Sequence, residues 1–177
     1  MSQQQQAGVA TASRDDRAGK YLTFVLAQEE YGLEILRVRE IIGMMTITAV
    51  PRTPEYVKGV INLRGKVIPV VDLRLKFGMP AVEQTDETCI IVVDVGSVEM
   101  GVIVDRVSEV LDISGDQIDD PPEFGDSVDT EFILGMGKAD GKVTILLAIE
   151  KVLTRRDVAA LNAAAQAGAA DGPASTA

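Results

Sequence analysis

Histidine and tryptophan do not occur in this chain, and cysteine occurs once, at Cys89. That inventory excludes a Cys/His zinc cluster, a disulfide framework, a cysteine–histidine nucleophile pair and a Ser-His-Asp triad, since each needs residues the chain lacks. Aromatics are scarce as well. Four Phe and three Tyr, 4 % of 177 residues, leave little to stack bases or to line a sugar site. A formal net charge of -10 repels phosphate backbones, so no nucleic-acid partner is expected. No apolar run approaches the roughly 20 residues of a membrane span, and the start Met1-Ser2-Gln3-Gln4-Gln5-Gln6 has no apolar signal region. A cytoplasmic location without direct membrane insertion is expected, and one reduced cysteine fits that compartment.

Catalytic patterns are missing too. No Gly-rich phosphate loop leads from a strand into a helix, and no nucleophile elbow surrounds a serine. A carboxylate-only enzyme, such as a glycosidase, would need a deep cleft that so short and aromatic-poor a chain is ill suited to build. Asp112 to Glu131 holds eight carboxylates and no Lys or Arg, but Pro121-Pro122 interrupts the alternating ligand register of a calcium loop, and the segment reads as a solvated loop. No enzyme, cofactor or metal is expected.

What is present is β pattern. Tyr21 to Ala27 alternates, with Leu22, Phe24 and Leu26 on one face, and Thr88 to Val93 is a near-continuous Cys/Ile/Val run suited to a strand buried on both sides. Further strands are predicted at 31–36, 45–50, 60–64, 67–71, 98–104, 108–113, 131–137 and 142–148. Arg64-Gly65-Lys66, Val95-Gly96-Ser97 and Ala139-Asp140-Gly141 supply the glycines of tight hairpins. Asp72 caps a predicted short helix, Leu73 to Phe77, ended by Gly78, and Thr154 with Asp157 opens a final helix carrying Val158 and Leu161. Residues 1–19 and 167–177 lack periodicity and read as disordered tails around a domain of residues 20–166.

The chain also repeats itself. Gly59 through Leu73 has a degraded copy 76 residues on, with Gly59 on Gly135 and Gly65-Lys66-Val67 on Gly141-Lys142-Val143. Tyr31 to Ile42 resembles Met100 to Leu111 at an offset of 69, with Gly32/Gly101, Arg37/Arg106, Val38/Val107 and Glu40/Glu109 identical. About ten short strands in two similar sets predict an all-β fold of two small barrels packed together, since closure hides sheet edges.

Two charged residues stand out against apolar neighbours. Arg64 at a hairpin tip is either a solvated charge or an anchor whose planar fork is oriented by Asp72 or Glu40. Glu40 lies alone within Val38-Arg39-Glu40-Ile41-Ile42. Arg52, Lys58, Arg64, Lys66, Arg74 and Lys76 gather on an otherwise acidic chain, a polarity that could orient an acidic partner.

The order Glu30-Tyr31-Gly32, Val38-Arg39-Glu40-Ile41-Ile42, Pro51 to Gly65 with its Gly59-Val60-Ile61-Asn62-Leu63-Arg64-Gly65 string, and Ile68 to Arg74 resembles the CheW family of bacterial chemotaxis coupling proteins. Gly101 to Val107 and Ile145 to Lys151 share that resemblance. It implies two five-stranded SH3-like barrels on a shared hydrophobic core with a C-terminal helix. It also implies a non-catalytic adaptor joining the cytoplasmic tips of chemoreceptors to the regulatory domain of the histidine kinase CheA. Val38, Glu40, Gly59, Arg64, Cys89, Ile90 and Val110 match positions the family associates with receptor or kinase binding. Cys89 stands where an aliphatic residue is expected. The alternatives are a kinase regulatory domain itself or the coupling half of a receiver-fused protein, although no phosphotransfer, ATP-binding or receiver pattern occurs.

Overall fold

The computed structural model of the protein describes residues 17–96, 98–122, 131–152 and 159. Strands dominate, as the alternation requires. The first repeat contributes β1 (Gly19–Leu26), β2 (Glu29–Glu34), β3 (Val38–Gly43), β4 (Val57–Leu63) and β5 (Lys66–Asp72), followed by a helical turn α1 (Leu73–Lys76). The second contributes β6 (Cys89–Val95), β7 (Val98–Val104), β8 (Arg106–Ile113), the two-residue β9 (Ile118–Asp119), β10 (Ile133–Ala139), β11 (Lys142–Leu147) and α2 (Ile149–Val152). As the capping pattern predicts, the Asp72 carboxylate accepts bonds from the backbone N–H groups of Arg74 and Leu75.

The strands form two sheets, ordered β8-β1-β2-β11-β10-β9 and β3-β6-β7-β5-β4. The orders are equivalent, because β1 and β2 match β6 and β7, β11 and β10 match β5 and β4, and β8 matches β3. Each sheet is therefore a hybrid. The first takes β1 and β2 from one repeat and the rest from the other, and the second sheet is the reciprocal. Registers agree to the residue. Leu146 pairs in parallel with Gly32 as Val70 does with Gly101, the same positions shifted by 76 and 69. A bulge between Val57 and Gly59 recurs between Ile133 and Gly135. Positive φ at Arg64 and Gly65 recurs at Asp140 and Gly141.

The first sheet has six strands rather than the expected five, because β9 pairs with Met136 and Gly137. Its counterpart in the other sheet is a single bridge, Thr48 to Val60. The strand predicted at 45–50 reduces to that bridge, and the strand lies instead at Val38–Gly43, where a bulge between Val38 and Glu40 puts Val38 and Ile42 on opposite faces. The final helix predicted from Thr154 lies outside the described residues, as does Asp157. Gly19, expected in the N-terminal tail, is paired with Ile113 in β1. Arg17 is buried, donates to the Leu134 carbonyl at 3.0 Å and meets Asp120 at 3.0 Å.

Three apolar clusters follow from alternation. Ile61, Ile68, Val70, Ile90 and Val92, with Ile42, Leu63 and Ile103 against them, all come from the five-stranded sheet, so one face of that sheet encloses its own interior. Tyr21, Ile113, Ile118 and Leu146 do the same in the six-stranded sheet. The opposite faces meet in a shared core that includes Leu22, Phe24, Leu33, Val71, Ile91, Val93, Met100 and Val102. Four of the chain's few aromatics, Phe24, Tyr31, Phe77 and Phe132, stack in a column with ring centroids 5.3 to 5.9 Å apart. The rings serve packing.

The chain passes between sheets twice, through Ile35–Arg37 and through Asp105. Each passage is held by an ion pair to the helical turn after a hairpin. Arg74 of α1 grips Asp105 with two bonds of 2.7 and 2.6 Å, and Asp105 also accepts from the Ala27 N–H at 2.8 Å. The equivalent passage carries Arg37 against Glu150 of α2 at 3.8 Å. The Asp105 carboxyl lies below the usual carboxylate range, chiefly because Arg74 hydrogen-bonds its charged form. The unfolded chain therefore binds a proton more readily here than the folded one. This contribution is complete above the unfolded value near about 4 and is lost as pH falls through the lower folded value. Asp105→Asn is expected to cost roughly 3 kcal/mol at pH 7. Urea midpoints from pH 6 to 2 should fall less steeply for Asp105→Asn than for the parent.

Candidate protein-interaction site

Six of the seven candidate residues, Val38, Glu40, Gly59, Arg64, Cys89 and Ile90, lie on the five-stranded sheet, and Val110 lies on the other. Arg64 sits in the β4–β5 turn at φ 53°, a conformation its place before Gly65 in a tight hairpin accounts for. Its guanidinium meets Glu40 of β3, donating to Oε1 at 2.7 Å and to Oε2 as well. Of the two partners the sequence left open, Glu40 is the one observed, and Asp72 is committed to capping α1. The pair spans the two outer strands of the sheet. Arg64 remains largely solvent-exposed (70 %) while Glu40 is about half as open (31 %). A surface pair of this kind adds little to stability and leaves the guanidinium available to a partner.

The pair does not stand alone. Arg39 Nε meets Asp94 at 2.6 Å and Glu99 at 3.5 Å, and Lys66 Nζ meets Glu99 at 2.6 Å. Alternation puts Asp94 on the same face of β6 as Ile90 and Val92, and Glu99 on the same face of β7 as Gly101 and Ile103. These charges therefore rim one end of the enclosed apolar interior. They were not among the sequence candidates, because neither Glu99 nor Asp94 carries a motif and the sheet order alone brings them to Arg39 and Lys66.

Four of the six cations that read as an acidic-partner patch are used within the molecule. Arg64, Lys66 and Arg74 are ion-paired, and Lys76 lies over the Tyr56 ring at 4.5 Å. Burial pulls the Lys76 ammonium below its ordinary pKa.

The apolar candidates separate by burial. Val38 is half-buried against the shared core and Val110 is exposed. Ile41, which is equivalent to Val110 in the repeat, is exposed as well. Ile90 is fully buried inside its own sheet, so its side chain supports the site rather than forming its surface. Cys89 is half-buried against the shared core, and burial pushes its thiol above the ordinary value, leaving less of the reactive thiolate. Among the described residues no group of acids and cysteine is placed to hold a metal, and no helix is long and apolar enough to cross a membrane.

Gly59 is fixed by the chain's own packing. Its missing side chain accommodates the chain's own Thr48–Ala49 backbone: a Cβ here would lie 2.1 Å from the Thr48 oxygen. A φ of 141° adds to the demand for glycine.

A family model described as the CheW-like domain matches residues 20–157. The chain is 40 % identical over 156 residues to the chemotaxis protein CheW of Klebsiella aerogenes, covering 86 % of this chain and 94 % of that one. It is 37 % identical to the chemotaxis protein CheW of Helicobacter pylori, covering 77 % and 82 %. Among solved structures it is similar to the scaffolding protein TtCheW of Thermoanaerobacter tengcongensis, with a TM-score of 0.73 and 38 % identity over 79 % of this chain and 95 % of that one.

Gly59→Val is expected to destabilise the fold by about 2 to 5 kcal/mol, from backbone strain together with overpacking. Chemical denaturation measures this, and an unchanged midpoint would show that the Thr48–Ala49 segment yields freely.

Proposed function

We infer the function of this chain from its family: it belongs to the CheW-like domain family, and it is a chemotaxis adaptor that couples chemoreceptors to the histidine kinase CheA. It does so without catalysis, from the cytoplasmic side, by binding the receptor tips and the kinase's regulatory domain at receptor clusters. The observation that carries this reading is that the family match spans residues 20–157 and so contains all seven candidate site residues. The surface chemistry agrees with protein association. Val38, Ile41 and Val110 offer apolar area at the margins of the shared core, which suits the apolar face of a helical hairpin. The exposed Arg64–Glu40 pair adds a directional polar contact on the strand that carries Val38 and Ile41. Modest pairwise affinities suffice where receptors are clustered, because tethering raises the effective concentration of every further contact.

The reading is tested by NMR or calorimetric titration of the full chain with a receptor cytoplasmic hairpin and, separately, with the kinase regulatory domain. Binding at distinct surfaces is expected, with shifts at Val38, Cys89 and Val110 for the hairpin. Binding to neither would withdraw the adaptor function. Arg64→Ala is expected to reduce kinase stimulation in reconstituted receptor complexes while the melting temperature stays unchanged. A clear drop in melting temperature would make the role of Arg64 structural.

A further inference from the structure

We propose that Glu99 is a positioning residue for the Arg64–Glu40 pair, gripping through Lys66 and Arg39 the two chain segments that carry it. Lys66 lies two residues beyond Arg64 across the β4–β5 turn, and Arg39 adjoins Glu40 on β3. Glu99, on β7 in the middle of the sheet, meets Lys66 at 2.6 Å and Arg39 at 3.5 Å. Asp94 holds Arg39 from the other side at 2.6 Å. Glu99 also favours the charged form of Arg64 through space, after the direct effects of Glu40. Without the Glu99 carboxylate, Lys66 loses its partner and its charge turns against the neighbouring Arg64, loosening the turn that aims the guanidinium.

The other sheet shows that the fold does not require this arrangement. At the equivalent positions it has Val25 for Asp94, Ser108 for Arg39 and Asp140 for Arg64. Its glutamate and lysine, Glu30 and Lys142, remain, and with Val25 and Arg106 they line an open cleft of about 510 Å³. The same topology thus closes its core with only part of this set of charges. A complete set of alternating charges on one sheet only is a property of that surface, where it surrounds the residue to which the adaptor reading assigns partner binding.

The inference rests on that reading for its consequence, but its geometry is testable on the free protein. In the full chain, the Arg64 side-chain NMR signals of the parent are expected to show slowed guanidinium rotation. Glu40→Gln and Glu99→Gln should both abolish the slowing, and Glu99→Asp, which keeps the charge, should retain it. Lys66→Gln, which removes the grip on the turn, should reproduce the Glu99→Gln result and carries the test if Glu99→Gln fails to fold. Slowed rotation persisting in Glu99→Gln or Lys66→Gln, or absent from the parent, would overturn the proposal. Titrated with the kinase regulatory domain, Glu99→Gln is expected to bind at least about three-fold more weakly, and Arg64→Ala/Glu99→Gln no more weakly than Arg64→Ala alone. Additive losses would overturn the positioning role. A parent chain that binds no kinase domain would instead sink the adaptor reading, leaving the side-chain signals to decide the role of Glu99.

Discussion

The rest of the structure depends on a reciprocal exchange. Each repeat starts a sheet with two strands and then leaves, so that its later strands complete the sheet started by the other. Neither half can bury its apolar faces by itself, and the shared core draws on both sheets. The crossings are therefore where mechanical integrity is concentrated, and the two are unequal. Asp105 is held by a two-bond, mostly buried ion pair and by a backbone N–H of the neighbouring sheet. The passage through Ile35–Arg37 has one long contact to Glu150 and an almost fully exposed Leu36.

The duplication also separates structural from functional requirements. Where the repeats share glycines, packing is the reason. Gly32 and Gly101 each face a side chain that leaves little or no room for a Cβ, Leu146 at 3.0 Å and Ile90 at 2.6 Å respectively, at the same point of the parallel ladder. Gly59 and Gly135 each sit at a bulge, Gly59 against the Thr48 backbone and Gly135 against the Ile118 side chain and the Asp119 carbonyl. Where the repeats differ, the surfaces differ. One sheet rims its interior with balanced charges around Arg64, and the other leaves that end open. An adaptor that meets two kinds of partner needs two unlike surfaces on one frame, and a diverged duplication provides them.

Charge is arranged to the same end. The chain is acidic overall, yet the cations gathered between Arg52 and Lys76 are mostly neutralised locally, so they supply geometry more than a general attraction for acidic partners. Arg64 is exposed and held by Glu40 of β3, with the Arg39–Asp94 and Lys66–Glu99 pairs on the adjoining residues.

The sequence by itself determined the all-β class, the hairpins, the two offsets of the repeat, the helix cap at Asp72 and the family, because each depends on local chemistry or on identities at fixed spacing. It placed Arg64 and Glu40 in one site, but could not choose between Glu40 and Asp72 as partner, since that depends on which strands flank the sheet. Strand β3 escaped prediction because its bulge between Val38 and Glu40 breaks the apolar alternation of the sequence, and Arg17 escaped because its carbonyl partner lies 117 residues away. Tertiary structure alone decided that each sheet mixes both repeats, that Ile90 faces inward, that Gly59 makes room for Thr48 and that Glu99 meets Lys66 and Arg39. All four are long-range facts, fixed by strand order and the packing of two sheets, and no local pattern encodes them.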